Sequence, residues 1–433
     1  MGHRGNSAYE YRLLQQRLDR NVTGAPDSPI FRDILKILFS PEEAELARQI
    51  PSHPTSLNAL SSKMGIPVEK LGDKLSEMAH RGLVVDFQLQ QRRYFVLPPV
   101  VIGFFEYTFM RTRDNMPMSE LARLFEEYMG QDERFAKSVF GGSTQLGRSF
   151  VREDALPEGD HTEILDWERA SHVVRESPTV GLSLCACRHK ANHLGKACER
   201  PMENCFSFGH AAEFLVRNGL AKPITTSEAL RLLEQSKELG LAQTGDNVQN
   251  KVTYLCNCCG CCCEMIQAIK TFDLRNAIVS SNWIMDIDTS KCKGCGQCAE
   301  ICPVNAIEVV LQDGKETNKR RWAAREETLC LGCGVCYSAC KSGAISMKPR
   351  AQRVFTPETA FDRTVSMAIE RGKLDELLGE DPESLSPQAI ERIIRSLEKS
   401  PNLQAAIAIE PLRSAFLERS CKQSAAHPNN LTT

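Results

Sequence analysis

Apolar residues between positions 29 and 103 first recur at helical spacing and then alternate with polar ones. Two helical runs, ended by Gly65 and Gly82, precede a stretch in which apolar residues alternate on both sides of a polar turn at residues 90–92. This pattern predicts a helix–turn–helix followed by a two-stranded hairpin. The residues that carry it are Ile34, Leu35, Ile37, Leu38, Leu57, Leu60, Met64, Val68, Leu71, Leu75, Met78, Val85, Phe87, Leu89, Tyr94 and Val96.

Changes of pattern along the chain predict an α+β multidomain fold. The arrangement at residues 29–103 resembles a winged helix, and a helical stripe of apolar residues around Leu121 indicates a helical connector after it. We expect seven segments: a polar arm (1–28), a winged-helix-like domain (29–103), a helical connector (104–178), a cysteine-rich domain (179–283), a second cysteine-rich domain (284–350), a helical C-terminal region (351–420) and a disordered tail (421–433).

Two Ser/Thr-Pro pairs in the C-terminal region predict the starts of helices. Thr356 and Ser386 are favoured N-cap residues, and Pro357 and Pro387 would occupy the first helical positions. Apolar residues then recur at helical spacing from Ile390 onwards. We therefore expect a small helical domain or docking arm here.

The overall charge and the apolar stretches exclude several classes of protein. The 433 residues include 53 Lys and Arg and 55 Asp and Glu, a net charge of −2, which does not favour a generic nucleic-acid binder or a polybasic membrane attachment. The longest mostly apolar stretch, residues 94–105, is shorter than the ~20 residues of a membrane helix and contains Pro98 and Pro99. Residues 1–20 lack the apolar core of a secretory signal. We expect a cytoplasmic protein with no membrane span.

The charge of the winged-helix-like region bears on its partner. Residues 30–100 contain nine Lys and Arg and eight Asp and Glu, a net of +1, whereas a DNA-binding domain normally presents a basic stripe. Only Arg92 and Arg93, at the predicted wing tip, fit phosphate contacts. We therefore expect this domain to dock a protein rather than nucleic acid, with a redox-sensing transcription regulator as the alternative.

Cysteine is the anomalous residue of this composition. The chain has 19 cysteines, of which 18 lie between Cys185 and Cys340. A disulfide scaffold would be small and would carry a signal peptide, and this chain is neither small nor equipped with one. Tight clusters of cysteines in a reducing compartment usually bind metal or perform redox chemistry. The composition therefore predicts metal sites in the middle of the chain.

Eight of these cysteines form an internal repeat. Each half has the spacing C-x2-C-x2-C-x3-C, and a shift of 38 residues superposes the halves, including Ala306-Ile307 on Ala344-Ile345. The halves are Cys292, Cys295, Cys298 and Cys302, and Cys330, Cys333, Cys336 and Cys340. This is the spacing of bacterial proteins that bind two [4Fe–4S] clusters.

The spacing also predicts which cysteines share a cluster. Three cysteines at intervals of three can wrap a loop around one cubane, while the fourth, expected at the start of a helix, serves the other cluster. The first cluster would be held by Cys292, Cys295, Cys298 and Cys340, and the second by Cys330, Cys333, Cys336 and Cys302. Two zinc knuckles are the alternative, but such knuckles usually use CxxC pairs rather than triplets.

On these motifs, residues 284–350 resemble the dicluster ferredoxin family. The resemblance implies a pseudo-twofold βαβ–βαβ fold and the relay of single electrons at low potential. Lys341 departs from the family pattern, which has proline after the last cysteine. It adds a cation near a cluster but removes no ligand.

Ten more cysteines precede the repeat. Six of them lie within residues 256–263, where Cys256, Cys259 and Cys262 are spaced like another cluster-wrapping triplet. Gathering so many thiolates without a metal would be electrostatically costly and prone to oxidation. The remaining four form a candidate ligand set: Cys185, Cys187, Cys198 and Cys205. We therefore expect one or two further clusters.

From Cys185 onwards the chain resembles a family of anaerobe proteins described as 4Fe–4S binding proteins. The shared features are a CxCR segment, a Cys-Phe-Ser-Phe-Gly segment at residues 205–209 and a CNCCxCCC block before a dicluster ferredoxin. The resemblance implies no known reaction. Two alternatives stay open: a zinc site that includes His189, His193 or His210, and a noncubane cluster at Cys258-Cys259-Gly260, as in heterodisulfide-reductase-like enzymes.

These features predict an iron–sulfur electron-transfer protein. The sequence contains no nucleotide-phosphate loop between strand and helix, no flavin fingerprint and no nucleophile–His–acid set that would indicate catalytic residues. We expect a carrier, or an electron-transfer subunit that works with a redox protein partner or a larger oxidoreductase complex in anaerobic metabolism. The alternatives are the redox-sensing regulator and a subunit that reduces a disulfide with its cysteine-rich block.

Overall fold

The structure is a computed structural model that describes residues 7–156, 166–311 and 321–374. The predicted helix start at Ser386 and the predicted disordered tail (421–433) lie outside the described residues. Within those residues, no helix is long and apolar enough to cross a membrane.

The N-terminal part of the chain is mostly helical. Its elements are α1 (Ser7–Asp19), α2 (Pro29–Leu38), α3 (Pro41–Ala47), β1 (Thr55–Ser56), α4 (Leu57–Met64), α5 (Val68–His80), β2 (Val85–Leu89), β3 (Arg92–Val96), α6 (Phe105–Phe109), α7 (Met118–Gly130) and α8 (Glu133–Phe140). Ser28 and Ser40 cap α2 and α3, and proline follows each of them at the first helical position.

The predicted helices and hairpin between residues 57 and 96 are confirmed as elements. α4 ends at Gly65, which adopts a left-handed φ of 66°. β2 and β3 pair antiparallel with Val85 opposite Val96, and β1 adds to the other side of β3. The identification of this unit as a winged helix stays a prediction.

α1 lies in the segment predicted to be a polar arm, but it packs into the core. Tyr11, Leu14 and Leu18 are buried, and the Tyr11 hydroxyl donates a hydrogen bond to the Phe39 carbonyl oxygen (2.8 Å). Apolar residues at i, i+3 and i+7 give the helix one apolar face although its composition is polar. The segment is therefore part of the N-terminal core instead of an arm that extends from it.

The predicted connector shares one hydrophobic core with the residues before it. Phe31 of α2 stacks on Tyr128 of α7, with ring centroids 4.6 Å apart. The Tyr128 hydroxyl also donates a hydrogen bond to the Pro26 carbonyl oxygen (2.9 Å). The boundary predicted at residue 103 therefore does not separate two cores.

The first cysteine-rich region is built on a seven-stranded sheet. Its elements are β4 (Gly147–Ser149), α9 (Ala170–Glu176), β5 (Val180–Leu184), α10 (Ala186–His193), β6 (Glu203–Phe208), α11 (Gly209–Arg217), β7 (Lys222–Ile224), α12 (Thr226–Glu238), β8 (Ala242–Asp246), β9 (Tyr254–Cys258), α13 (Glu264–Phe272) and β10 (Ile278–Val279). The strand order is β10-β4-β8-β9-β6-β5-β7, with β10 parallel to β4 and the other neighbours antiparallel. Because β4 comes from the predicted connector, the sheet extends across the predicted boundary at residue 179.

Two βαβ units follow in sequence. Their elements are β11 (Trp283–Ile287), α14 (Gln297–Ile301), β12 (Ile307–Leu311), β13 (Arg321–Arg325), α15 (Val335–Ala339) and β14 (Ile345–Pro349). β11 pairs with β14 and β12 with β13, both antiparallel. Each pair takes one strand from each half of the repeat, which is the pseudo-twofold order implied by the resemblance to dicluster ferredoxins.

The helix predicted to start after Thr356 begins later, as α16 (Ala360–Glu370). Thr359 is its N-cap, and Asp362 completes a capping box. The carbonyl oxygen of Thr356 instead accepts a hydrogen bond from the Gln249 side chain (2.8 Å). The predicted start is wrong because this stretch attaches the chain to the cysteine-rich region before the helix begins.

Candidate metal centres

The cysteine triplets of the repeat lie on loops that lead into short helices. Gly294 and Gly332 adopt left-handed φ values of 61° and 67°. A Cβ atom at Gly332 would lie 2.0 Å from the Trp283 carbonyl oxygen, and one at Gly294 would lie 2.6 Å from the Arg321 carbonyl oxygen. Glycine therefore lets each loop lie directly against a neighbouring strand.

The fourth cysteine of each half lies at the end of a helix, not at its start. Cys302 is the C-cap of α14, and Cys340 is the C-cap of α15. The predicted position is wrong because the third cysteine already lies in the first turn of the helix. The x3 spacing then places the fourth cysteine about one turn later.

Two cavities lie inside this domain, and four cysteines line each of them. The first cavity is lined by Cys292, Cys295, Cys298 and Cys340. The second cavity is lined by Cys302, Cys330, Cys333 and Cys336. Each set takes three cysteines from one half of the repeat and one from the other, which is the grouping that the spacing predicts.

Backbone N–H groups donate hydrogen bonds to the cysteine sulfurs at matching positions of the repeat. The N–H group of Ala306 lies 3.3 Å from the Cys302 sulfur, and that of Ala344 lies 3.3 Å from the Cys340 sulfur. A third contact joins the N–H group of residue 323 to the Cys292 sulfur (3.4 Å). Hydrogen bonds to ligand sulfurs are one of the factors that set the potential of a bound cluster.

Burial makes these thiols unsuited to a metal-free state. It raises the pKa of Cys333 to about 12, and it also raises the pKa of Cys302 and Cys336. Bound metal would offset this cost, because a thiol that coordinates a metal ion is deprotonated outright. Four thiols around one cavity, of which Cys333 and Cys336 are buried and Cys302 and Cys330 are half-buried, therefore fit an iron–sulfur cluster.

The ten upstream cysteines form two groups. The six-thiol group is Cys185, Cys187, Cys205, Cys256, Cys258 and Cys263. The tetrathiol group is Cys198, Cys259, Cys261 and Cys262.

The six-thiol group forms a continuous series of neighbouring sulfurs on and beside the seven-stranded sheet. Cys205 in β6 lies directly opposite Cys256 in β9, and their sulfurs are 3.8 Å apart. From Cys256 the series continues through thiols that each lie near enough to the next to shift its pKa: Cys258, Cys263, Cys187 and Cys185. β-pairing therefore brings together cysteines that are far apart in sequence.

All six of these thiols, together with Cys259 and Cys262, line one cavity whose other walls are mostly apolar. Contacts with neighbouring thiols, together with burial, raise the pKa of Cys185 and Cys256 well above its ordinary value. Glu106 lies in the same wall, where it accepts a hydrogen bond from the Gly103 N–H group (2.7 Å). Burial raises the pKa of Glu106 to about 8. Six thiols and a buried carboxyl group form a donor set suited to a metal cluster.

The four sulfurs of the tetrathiol group all lie within 4.8 Å of one another. The Cys198 sulfur is 3.6 Å from that of Cys259 and 3.9 Å from that of Cys262, and Cys261 is 3.7 Å from Cys262. Cys261 is exposed, whereas Cys259 and Cys262 are buried. Across the described residues, no other set of three or more cysteine, histidine or acidic side chains is gathered so closely.

Arg188 lies between the two groups and is fully buried. Its Nη2 donates a hydrogen bond to the Cys259 sulfur (3.5 Å), and its charge also acts on Cys185 of the six-thiol group. A hydrogen bond with Cys262 and, after it, the charge of Arg188 lower the pKa of Cys259 to about 3 despite burial. Both contacts therefore favour the thiolate form of Cys259.

The structure groups the upstream cysteines differently from the two ligand sets that the sequence predicted. Cys198 lies in the tetrathiol group, apart from the other three members of its predicted set. Cys256 lies in the six-thiol group, apart from Cys259 and Cys262. The prediction also omitted Cys258, although alternation along β9 indicates it, because residues 256 and 258 of a strand share one face.

Two further cysteines, Cys261 and Cys263, were also omitted from the predicted ligands. Cys261 lies two positions after Cys259, and Cys263 directly follows Cys262. Both lie in the loop between β9 and α13, where no regular spacing applies. No signal in the sequence separates these two neighbours into different groups.

The histidines proposed for a zinc site have other contacts. His189 Nδ1 lies 2.7 Å from the Phe109 carbonyl oxygen, and His210 Nδ1 lies 2.9 Å from a Glu213 carboxylate oxygen. His193 packs beside His189, with ring centroids 4.8 Å apart. None of the three belongs to the tetrathiol group.

The Cys-Cys-Gly motif divides its two cysteines between the groups. Cys258 ends β9 in the six-thiol group, and Cys259 starts the loop that belongs to the tetrathiol group. Gly260 packs on the second cysteine-rich domain, where an added Cβ atom would lie 2.6 Å from the Pro303 carbonyl oxygen. The arrangement does not favour a noncubane cluster held by both cysteines.

An open cleft separates the tetrathiol group from the domain with the repeat. Cys259 and Cys261 line one wall, and Cys302 and Lys341 line the other. Lys341, which departs from the ferredoxin pattern, therefore lies in this cleft and not inside either cysteine-lined cavity. Because Cys302 also lines the second cavity, the tetrathiol group faces the side of the domain that contains that cavity.

Comparisons with known proteins identify the domain with the repeat. The family described as "4Fe-4S binding domain" matches residues 285–308 and 324–346. Ferredoxin-1 of Nitratidesulfovibrio vulgaris (strain DSM 19637 / Miyazaki F) is 52% identical to this chain over 33 residues, which are 8% of this chain and 50% of the ferredoxin. The chain thus spans about half the length of this relative. No solved structure matches the chain. The domain with the repeat binds [4Fe–4S] clusters, and its two repeats correspond to two clusters.

Proposed function

We propose that this protein is an electron carrier, or the electron-transfer subunit of a larger anaerobic oxidoreductase, and that it relays single electrons to or from a redox partner protein. The observation that carries the proposal is the pair of cavities that each collect four cysteines from both halves of the repeat. A [4Fe–4S] cluster, when bound, accepts and releases one electron.

The ligands in this proposal are the cysteines that line each cavity. The first cluster would be held by Cys292, Cys295, Cys298 and Cys340, and the second by Cys302, Cys330, Cys333 and Cys336. The chain itself buries three of these thiols, Cys298, Cys333 and Cys336. It also directs N–H groups at three of the sulfurs, and both effects tune the potential of a bound cluster.

A third iron–sulfur cluster in the six-thiol group is part of the proposal. The group includes four of the ligands proposed from the sequence, Cys185, Cys187, Cys205 and Cys256. Its thiols line a single mostly apolar cavity, and burial without metal would be costly for them. Six thiols supply more than the four ligands that one cubane needs.

Arg152 supports a relay between the domains because it fixes one against the other. Its backbone N–H group donates a hydrogen bond to the Cys333 carbonyl oxygen (3.1 Å). Its buried guanidinium donates to the Lys237 carbonyl oxygen (2.8 Å) and to the Ser338 hydroxyl (3.1 Å). The second cavity is thereby held at a fixed position relative to the sheet that carries the six-thiol group.

The first prediction concerns the metal and electron content of the full chain. Anaerobically purified protein is expected to contain about twelve iron and twelve acid-labile sulfide, eight of each from the domain with the repeat. Dithionite should produce EPR signals of reduced, spin-coupled clusters, and reoxidation by cytochrome c should release one electron per cluster. About eight iron would remove the third cluster from the proposal. Zinc without labile sulfide would contradict the proposal as a whole.

We assign the winged-helix-like unit to protein docking because several of its basic side chains are already engaged. Lys74 of α5 forms an ion pair with Glu42, and Arg93 of β3 donates a hydrogen bond to the Ser76 hydroxyl (2.7 Å). Side chains that pair within the unit contribute little to phosphate binding, which depends on cations that release counterions from DNA.

The hairpin of this unit also packs against the first cysteine-rich region. Asp86 of β2 forms an ion pair with Arg217 of α11 (3.1 Å) and accepts a hydrogen bond from Asn218 (3.0 Å). The side of the hairpin at β2 is therefore covered by protein. Arg92, near the tip, is exposed.

A second prediction tests this assignment by DNA binding. The purified holoprotein is expected to give no mobility shift with random or promoter DNA at physiological salt, and the Arg92→Glu variant should behave in the same way. Arg92 is the matched site because it is an exposed cation at the tip of the hairpin. A shift with a steep salt dependence that Arg92→Glu weakens would favour the regulator instead.

A further inference from the structure

We propose that the tetrathiol group, Cys198, Cys259, Cys261 and Cys262, binds one zinc ion as a mononuclear site. The proposal is independent of the electron relay, because it concerns a group of cysteines that the proposed clusters do not use. It rests on the separation of the sulfurs, on a comparison with the other cysteine sets of the same chain, and on the surrounding charges.

The separation of the sulfurs matches a single tetrahedral ion. Four thiolates at ~2.3 Å from a zinc ion at the centre of a tetrahedron lie about 3.8 Å from one another. Three of the six separations in the group are 3.6 Å (Cys198 to Cys259), 3.9 Å (Cys198 to Cys262) and 3.7 Å (Cys261 to Cys262), and the other three are within 4.8 Å. The thiols therefore already have the spacing that the ion requires.

The domain with the repeat provides an internal comparison. Its cysteines surround two cavities, and no three of their sulfurs lie within 4.8 Å of one another in the described residues. A cubane occupies the space between its ligands and so keeps their sulfurs apart. Because all four tetrathiol sulfurs lie within 4.8 Å of one another, the group fits one ion rather than a cubane.

The surroundings of the group fit a charged thiolate site. Four thiolates with one divalent cation carry a net negative charge, and the buried Arg188 that donates to Cys259 offsets part of it. The loop that carries three of the ligands is held by α13, because Gln267 and Lys270 both donate hydrogen bonds to the Gly260 carbonyl oxygen (2.9 and 3.0 Å). Soft thiolate ligands select zinc over hard cations such as magnesium.

The position of the site indicates a structural ion. Cys198 lies in the loop between α10 and β6, whereas the other three ligands lie between β9 and α13. One ion would therefore join two loops that flank the cleft toward Cys302. A site with four protein ligands and no open position is typical of structural zinc.

The test is elemental analysis of the full chain after anaerobic purification. Wild-type protein is expected to contain one zinc per chain in addition to its iron. The Cys198→Ser/Cys261→Ser variant should lose the zinc and keep its iron, labile sulfide and EPR signals. Cys421→Ser, which also removes a thiol but lies outside all the cysteine groups described, should keep both metals. Replacement of zinc by Co²⁺ should give the visible bands of tetrahedral thiolate coordination in wild-type protein and not in the double variant.

A milder variant keeps the test decisive if the double variant does not fold. Cys261 is exposed, so Cys261→Ser should fold, retain its EPR signals and lose zinc to a chelator at least tenfold faster than the wild type. Three results would overturn the proposal: no zinc in the wild type, zinc retained by both variants, or loss of about four iron and four sulfide from either variant. One iron without sulfide in place of zinc would overturn it as well.

Discussion

Replacement of Cys292 and Cys340 together by serine is expected to remove one [4Fe–4S] cluster and leave the other intact. The two cysteines belong to different halves of the repeat, yet both line the first cavity. The second cavity keeps all four of its cysteines. The double variant should therefore lose about four iron and four labile sulfide per chain. Replacement of either cysteine alone should remove the same cluster, so the second substitution adds no further loss.

The matched variant exchanges Cys340 for its counterpart in the repeat. Replacement of Cys292 and Cys302 by serine removes the same number of thiols, but each comes from a different cavity. This variant should lose both clusters, or about eight iron and eight sulfide. The measurement is iron and sulfide per chain, with the EPR spectrum after dithionite reduction as the independent signal.

The two double variants distinguish crossed from uncrossed ligand sets. If each half of the repeat held its own cluster, the Cys292/Cys340 variant would lose both clusters and the Cys292/Cys302 variant only one. That outcome would show that the crossed assignment is wrong. Cys421→Ser serves as the control for a general effect of thiol loss, since it removes neither set's ligands.

The domain with the repeat was predictable because its determinants are local. The triplet spacing, the glycines between the cysteines and the shift of 38 residues are all visible in the sequence. The spacing did not show at which end of each short helix the fourth cysteine would lie. Cys302 is the C-cap of α14 because Cys298 already lies in the first turn of that helix. This position follows from helical rise and not from motif spacing.

The upstream groups were less predictable because strand pairing determines them. Cys205 and Cys256 become neighbours through the register of β6 with β9, and no local spacing encodes that register. The C-x2-C-x2-C spacing of Cys256, Cys259 and Cys262 resembles a loop triplet, but β9 continues as far as Cys258. Cys256 therefore belongs to strand β9, whereas Cys259 and Cys262 belong to the loop that follows it.

The N-terminal segment shows a similar limit. α1 has mostly polar residues, so composition favoured an arm, but three apolar residues on one face are enough to bury it. The hairpin of β2 and β3 was predictable, because alternation on both sides of a polar turn is a strong local pattern. Its contact with α11 depends on the packing of two domains and has no signature in the sequence.

Arg188→Met is expected to reduce the zinc and iron bound by the upstream cysteines and to destabilise the fold. Arg188 is fully buried, and despite that burial the neighbouring cysteines raise its pKa, so it stays charged. Its removal leaves the Cys259 sulfur without its buried cationic donor and takes away the positive charge that acts on Cys185. Removal of one partner of a buried ion pair costs about 3–5 kcal/mol, and the free energy of unfolding should fall by a comparable amount.

The comparison uses the same substitution at an exposed arginine. Arg123 forms an i,i+4 ion pair with Glu127, and its side chain is 58% exposed. Arg123→Met should change the free energy of unfolding by less than about 1 kcal/mol and should leave the metal content unaltered. Arg188→Lys keeps the charge but loses the planar donor geometry, so it should retain more metal than Arg188→Met.

The measurements are zinc and iron per chain and anaerobic urea unfolding of the metal-loaded and chelator-treated protein. If Arg188 acts by balancing thiolate charge, Arg188→Met should lose upstream metal while the EPR signals of the two clusters in the repeat persist, because Arg188 lines neither of those cavities. A loss of stability without a loss of metal would instead mean that Arg188 acts through packing and its hydrogen bond to the Pro201 carbonyl oxygen. Equal metal loss in Arg188→Met and Arg188→Lys would show that geometry, and not charge, is what the upstream thiols require from this residue.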